Sequence, residues 1–318
     1  MNSAAPSTAR LGILCMIAAM SLISVNDMLI KSLSGDYPLH QLILMRSGVG
    51  ILFTLVLLKM EGGFALLRTG RPGLHLLRAL LIVFANSSLY AAIAALPLAT
   101  ANALYFVAPL FVTLLSIPVL GEHVGPRRLG AIGVGFAGVL LMLGPQLAKG
   151  DAGFGWIMVL PVMAAAGYAA TAVLSRKLGA TSRASALAIH LQAAFLAVSI
   201  VMYVVAGDGR FAVGVENDSV RFLLRAWVWP AHGDLVPVIG LGMMSAAVGY
   251  LMTQAYRLSH ASAVAPFEYV LLVFSLFWGW QVFGEWPETS VFVGAAVIIA
   301  AGIYVFMRED AVKATRRA

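Results

Sequence analysis

A few ionisable and amide side chains interrupt long apolar stretches of this chain, and their types suggest what it could do. Asp27 lies near the end of the run 11–30, with Ser24 and Lys31 on about the same helical face. Arg46 lies about two turns into the next run, at similar depth. The two can form a structural ion pair, or they can hold a substrate and couple protons. A guanidinium forks onto carboxylate or phosphate, so Arg46 is the candidate for an anionic group. Glu268 follows Pro266 about two turns into a later run, and His190 and Gln254 lie at comparable depth in two others. A protonatable Glu beside a His would serve a proton relay. The same Glu could equally stay neutral against a backbone carbonyl. Asn86 and Tyr90 are one helical turn apart, Tyr105 matches Glu268 in a repeat described below, and Tyr168 lies mid-run. These read as helix–helix contacts or as ligand contacts. An ionised group at the centre of a membrane helix costs about 2.5–3.5 kcal/mol on insertion scales. Such groups are therefore paired, line a cavity, or sit near an interface.

The elements carrying these residues are set by composition. The 318 residues are 61% hydrophobic and 11% charged, with a mean hydropathy of +0.91. Soluble domains are about 45–50% apolar and about 25% charged, so the excess is assigned to lipid contact. The formal net charge of +7 does not point to nucleic acid. The Lys and Arg residues fall between apolar runs and are not interleaved with aromatics, which makes them topology signals. A single cysteine, Cys15, excludes an intramolecular disulfide and a CxxC metal site. No Walker, HExxH or GxSxG motif occurs, and neither cofactor nor metal is implied. The glycines of 130–138 form a close-packing helix face rather than a phosphate loop.

Ten runs are long enough to span a bilayer, at about 11–31, 39–59, 74–95, 100–120, 128–145, 154–175, 184–206, 234–256, 261–283 and 289–307. They are too long and too uniform for membrane strands. The first exceeds a signal-peptide core and is read as a retained span. The connection 207–233 is long and holds a moderately apolar piece, 221–229, with Trp227 and Trp229, which suggests an interfacial segment. Trp278, Trp280 and Trp286 suggest an aromatic belt. Lys59, Arg68, Arg71, Arg78, Arg127, Arg128, Arg176, Lys177, Arg183 and Arg257 cluster with the tails on one side. Lys31, Lys149, Arg210, Arg221 and Arg225 fall on the other. By the positive-inside rule both termini are cytoplasmic.

The stretch Ala99-Thr100-Ala101-Asn102 through Gly121-Glu122 is similar to Ser262-Ala263-Val264-Ala265 through Gly284-Glu285. Each has a small-residue start, a proline (Pro109 or Pro266), an aromatic-rich run and a Gly-Glu exit, and each is followed by a Gly-rich helix. The exits lie about half the chain apart, so one half holds five spans. The first runs into Arg127-Arg128 and the second into Pro287-Glu288. Similar sequence with opposed flanking charge is the mark of an inverted repeat. The expected fold is an all-α integral membrane protein of ten transmembrane helices in two inverted five-helix repeats, 1–148 and 149–318. Glu122 and Glu285 read as structural helix ends.

With these motifs the chain resembles the drug/metabolite transporter superfamily, and within it the EamA-type ten-helix transporters. The residues concerned are Ala95-Leu96-Pro97-Leu98-Ala99, Ala108-Pro109-Leu110-Phe111, Gly121-Glu122, Gly138-Val139-Leu140-Leu141, Ala263-Val264-Ala265-Pro266-Phe267-Glu268-Tyr269 and Phe283-Gly284-Glu285. The likeness covers nearly the whole chain except the tails and the long loop. It implies secondary transport by alternating access, with substrate near mid-membrane between the halves. Members move amino acids, nucleotide-like metabolites, vitamins and S-adenosylmethionine, some inward and some outward. The expectation is therefore a bacterial inner-membrane transporter of a small organic metabolite, amino-acid-, vitamin- or nucleoside-like, rather than an enzyme. Its partners would be that substrate and the lipid bilayer, with protons as the candidate coupling ion and no nucleic acid. The alternative is a membrane-embedded enzyme with Glu268 and His190 as acid and base. Ionisable groups scattered singly over both halves favour transport.

Overall fold

A computed structural model describes residues 6–68, 71–122, 124–148, 152–178, 184–258 and 264–317. Gly70, Lys149, Arg183, Ser262 and Ala263, used in the readings above, lie outside the described residues. The described residues contain helices and no strand. The helices are α1 (Pro6–Leu33), α2 (Leu39–Glu61), α3 (Pro72–Ala95), α4 (Leu98–Tyr105), α5 (Ala108–Leu120), α6 (Pro126–Ala148), α7 (Ala152–Leu178), α8 (Ala184–Ala206), α9 (Asp218–Leu224), α10 (Leu235–Leu258), α11 (Val270–Phe283) and α12 (Thr289–Arg317). Among the described residues, nine helical stretches are long and apolar enough to cross a bilayer, and Thr289–Val305 of α12 is a shorter tenth. This is the ten-helix membrane fold that the apolar runs required.

Two spans depart from a plain rod. The fourth is made of α4 and α5, broken by a turn at Phe106 and Val107 just ahead of Pro109. The ninth opens as a 3-10 turn, Ala265–Tyr269, which holds Pro266, and continues as α11. Proline has no N–H and its ring crowds the preceding turn, so the chain tightens or breaks beside it. Both spans end alike. Gly121 and Gly284 take the left-handed conformation at φ 69° and φ 65°, which glycine adopts without the Cβ penalty. The Glu122 N–H then reaches Ser116 O and the Glu285 N–H reaches Gly279 O.

Among the described residues, α2 and α8 each run for 23 residues and α3 and α10 each for 24. Packing recurs between the halves: the main partners are α6 with α12, α3 with α7, α1 with α10, and α2 with α8. Exchanging the two halves maps this set of partners onto itself. α6 and α12 meet through the glycine face expected from sequence. A Cβ on Gly138 would strike Gly294 O and Ile298, and one on Gly135 would strike Leu110. Below, the tail side is the end at which α1 begins and α12 finishes, and the far side is the opposite end.

The long connection is tied down on the far side. Asn217 caps α9 by accepting from the Val220 N–H at 3.2 Å, and Phe222 is fully buried. The Gln41 amide donates to Val228 O at 2.6 Å and accepts from the Val228 N–H at 3.2 Å. Ser219 donates to Ala91 O at 2.6 Å. The expected interfacial piece is thus a short helix followed by an extended strap, although Trp229 does remain exposed.

Candidate functional site

The two broken spans face each other across a cavity of about 320 Å³. Tyr105, Phe106, Ala108 and Pro109 line it from the first break, and Pro266, Glu268 and Tyr269 from the second. α1 contributes Met20, Ile23, Asn26 and Asp27; α2 contributes Arg46; α3 contributes Asn86, Leu89 and Tyr90. From the other half come Tyr168 of α7, Ser245 and Met252 of α10, and Gly302 of α12. Gly302 leaves room for a neighbour, since a Cβ there would collide with the Tyr269 hydroxyl.

Arg46 is buried and firmly oriented. Its Nη1 donates to Tyr90 Oη at 2.8 Å. Its guanidinium lies over the rings of Tyr90 and Phe195, 5.5 Å and 5.4 Å from their centroids. Tyr90 passes its own proton to Asn26 Oδ1 at 3.3 Å, and the Asn26 amide reaches Leu241 O at 3.5 Å. A chain of donors therefore runs from α2 through α3 and α1 to α10.

Asp27, 3% exposed, has a separate support. Asn102 Nδ2 donates to Asp27 Oδ2 at 3.2 Å and also lies 3.0 Å from Ser275 Oγ. Asn102 thereby ties α4 to α1 and α11. The Asn102 Oδ1 is buried without a hydrogen-bond partner. Asp27 and Arg46 thus share the cavity but form no ion pair within 4 Å; Asn102 meets one oxygen of Asp27 and Tyr90 one nitrogen of Arg46.

The sequence-derived residues divide into two sets. Asp27, Arg46, Asn86, Tyr105, Tyr168 and Glu268 all line the cavity. Tyr105 and Tyr168 pack ring to ring at 5.8 Å, and Asn86 donates to Ile82 O at 3.1 Å. His190 and Gln254 do not line it, so the expected Glu268–His190–Gln254 group is not assembled there. His190 bonds Ala186 O at 2.7 Å and lies against His75, centroids 5.0 Å apart. Sequence reasoning overlooked Asn26, Asn102, Ser275 and Tyr269. The signal for Asn102 was present, in the small-residue start of the repeated motif. A second, apolar cavity of about 250 Å³ lies between α2, α3, α8 and α9, with Phe195 in its wall.

Outside the spans, Tyr37 donates to Asp234 Oδ2 at 2.6 Å and accepts from the Ala231 N–H at 3.0 Å. The carboxylate that receives its proton raises the phenol above its usual range. Burial lowers Arg225 below the usual guanidinium range.

A helical bundle with a mainly apolar cavity that carries a few polar side chains between its halves is a transporter architecture, and comparison with known proteins agrees. Residues 10–144 match the EamA-like transporter family. Over that stretch the chain is similar to this transporter family, and it is similar to named transporters over most of its length. A riboflavin transporter of Rhizobium johnstonii is 29% identical over 306 residues, covering 96% of this chain and 93% of that protein. An S-adenosylmethionine uptake transporter of Rickettsia prowazekii is 24% identical, covering 94% and 93%. A pseudopaline exporter of Pseudomonas aeruginosa is 28% identical, covering 92% and 94%. A solved crystal structure superposes with a TM-score of 0.60 at 21% identity, over 94% of this chain and 96% of that one, a likeness of fold. The chain is a multi-pass membrane protein similar to small-molecule transporters.

Proposed function

We propose that this chain is a secondary transporter that carries a small organic metabolite across the bacterial inner membrane by alternating access. The observation that carries this reading is the 320 Å³ cavity, whose polar lining comes from both halves. Asp27, Arg46, Asn86 and Tyr105 stand on one side of it, and Tyr168, Ser245 and Glu268 on the other. A site shared between halves changes its access when the halves rock. The volume is at the small end of the about 300–1,000 Å³ typical of ligand pockets, which suits an amino-acid-, vitamin- or nucleoside-like solute. The relatives named for riboflavin and S-adenosylmethionine support that range.

In this reading 1–148 and 149–318 are the two repeats, and both termini are cytoplasmic, as the Lys and Arg of the tail side favour. Arg46 holds an anionic group of the solute, and its aromatic neighbours fix its fork. Asn86, Tyr105 and Tyr168 contribute polar edges to an otherwise apolar wall. Asp27 and Glu268 are the carboxyl groups that carry a coupled proton. His190 and Gln254 act outside the solute site.

The test is uptake and counterflow in proteoliposomes across a metabolite panel, with and without a pH gradient. Accumulation of one solute class that responds to the gradient is the expected result. Chemical conversion of a panel member with no transport would overturn the reading in favour of an enzyme. Glu268→Gln should abolish the response to the gradient while facilitated exchange survives. An unchanged pH response removes Glu268 as a proton carrier.

A further inference from the structure

Four charged side chains outside the cavity repeat one arrangement at opposite faces of the molecule. On the far side, Lys31 Nζ lies 2.5 Å from Glu285 Oε1 and 2.5 Å from Leu96 O, while Glu285 Oε2 accepts from the Leu98 N–H at 3.1 Å. The Phe283 ring lies 5.1 Å from the same ammonium. On the tail side, Arg176 Nη1 lies 3.5 Å from Glu122 Oε1. Each glutamate follows the left-handed glycine that ends its broken span. Each cation stands in the last described turn of its helix, Lys31 in α1 and Arg176 in α7. Each pair therefore joins the first span of one half to the fourth span of the other.

Equivalent in sequence position, the pairs differ in state. The Lys31 and Glu285 side chains are 9% and 24% exposed, whereas those of Arg176 and Glu122 are 44% and 37% exposed. The far-side pair is short, half-buried and reinforced by backbone, and the tail-side pair is longer and more exposed. The cavity lies between the two pairs: Asp27, Arg46 and Asn102 line it toward the far-side ends of their helices, and Met252 and Pro266 toward the tail-side ends.

We propose that Lys31–Glu285 and Arg176–Glu122 are the two latches of the transport cycle, each holding one face shut. The structure is then the state latched at the far side, and rocking the halves would loosen one pair as the other tightens. Buried, well-oriented ion pairs resist separation more than exposed ones, so the short pair is the one that must yield before the far face opens. This rests on the alternating-access reading above, but its test needs no substrate.

The experiment uses the full-length chain with Cys15→Ser and a reporter cysteine at Ser245→Cys in the cavity wall. A membrane-impermeant maleimide is applied to each side in right-side-out and inside-out vesicles. Glu285→Gln should raise far-side labelling, and Glu122→Gln should lower it and raise tail-side labelling. A coupling of ordinary size shifts each rate about fivefold or more. Lys31→Gln reads the far-side pair from its other partner and serves if Glu285→Gln does not fold. Arg176→Gln does the same for the tail side. Opposite signs for the two pairs support the latches. Shifts of the same sign, or none in folded protein, overturn them. A chain that labels with opposite signs yet transports no panel solute keeps its latches and loses only the transport reading.

Discussion

The ring of Phe106 stands edge-on to that of Tyr269, with centroids 5.0 Å apart and planes at 67°. Phe106 is the turn residue of the first broken span and Tyr269 the last residue of the 3-10 turn that opens the second. Counted back from the two Gly-Glu exits they occupy the same position, so the two breaks touch each other where the halves meet. Edge-to-face aromatic pairs contribute about 0.5–1.5 kcal/mol beyond burial. The breaks also explain why polar groups collect here. Tyr105 and Glu268 immediately precede these two aromatics, and both line the cavity.

Arg46 gives the sharpest test of recognition. Its guanidinium is fixed by one hydrogen bond and two ring faces. Arg46→Met should lower transport kcat/KM by at least about tenfold, the effect of losing one hydrogen bond to a charged group. Arg46→Lys keeps the charge but loses the fork and the stacking, and should fall between. The measurement is initial uptake rate against concentration in proteoliposomes for the solute identified by the panel. A lysine variant equal to the wild type would show that charge alone suffices.

Asn102 makes a prediction about stability. It joins Asp27 of α1 to Ser275 of α11 from one buried amide. Asn102→Ala removes both bonds, leaves the Asp27 carboxylate without that donor, and should cost about 1–2 kcal/mol, the scale of interhelical polar contacts in membranes. The check is the fraction remaining monodisperse after heating in detergent. Asn102→Asp should be worse than Ala, because it sets a second carboxyl group against Asp27.

The ten-helix architecture was legible because a spanning run is long and compositionally extreme, so the runs around Asp27, Arg46 and Glu268 stood out from composition alone. The repeat was legible because Gly121 and Gly284 end equivalent helices and must be glycine to do so. Depth within the bundle was legible too, but direction around each helix was not. His190 was matched to Glu268 by depth, yet its ring lies against His75. Asp27 and Arg46 were matched in the same way, yet Asn102 and Tyr90 are their partners. A step of one residue turns a helix by about 100°, so small errors of register reassign every contact. The strap that carries Val228 was opaque for another reason. Its clamp, Gln41, stands 187 positions away in the chain, and no local pattern signals such a bond.

Gly302 bears on the shape of the cavity. A Cβ at this position would collide with the Tyr269 hydroxyl, so Gly302→Ala forces Tyr269 to move and Gly302→Leu fills part of the space between α12 and the second break. Uptake should fall severalfold in the alanine variant and vanish in the leucine variant, with both proteins still folded by size-exclusion chromatography. Gly302→Ala combined with Tyr269→Phe should recover part of the loss, because it removes the atom that the new methyl strikes. Failure of the double variant to recover would place the effect of Gly302 in helix packing rather than in the cavity.

The far-side strap has a pH dependence of determined sign. Tyr37 is buried and donates its phenolic proton to Asp234 while receiving the Ala231 N–H. The neutral phenol is the form that makes the first bond, which is why its folded-state pKa lies above the ordinary value of 10.0. A raised pKa means that the folded state holds the proton more tightly than the unfolded state. The stabilisation is therefore fully present below about pH 10 and is lost as pH rises through the folded-state value. Amide exchange of residues 225–234 should show strong protection at pH 8, and protection corrected for intrinsic exchange should drop above pH 10. Tyr37→Phe should lose about tenfold or more of the protection at pH 8, in line with one hydrogen bond to a charged group, and should flatten the alkaline step. A step of unchanged size in Tyr37→Phe would assign it to another group and leave Tyr37 a packing role alone.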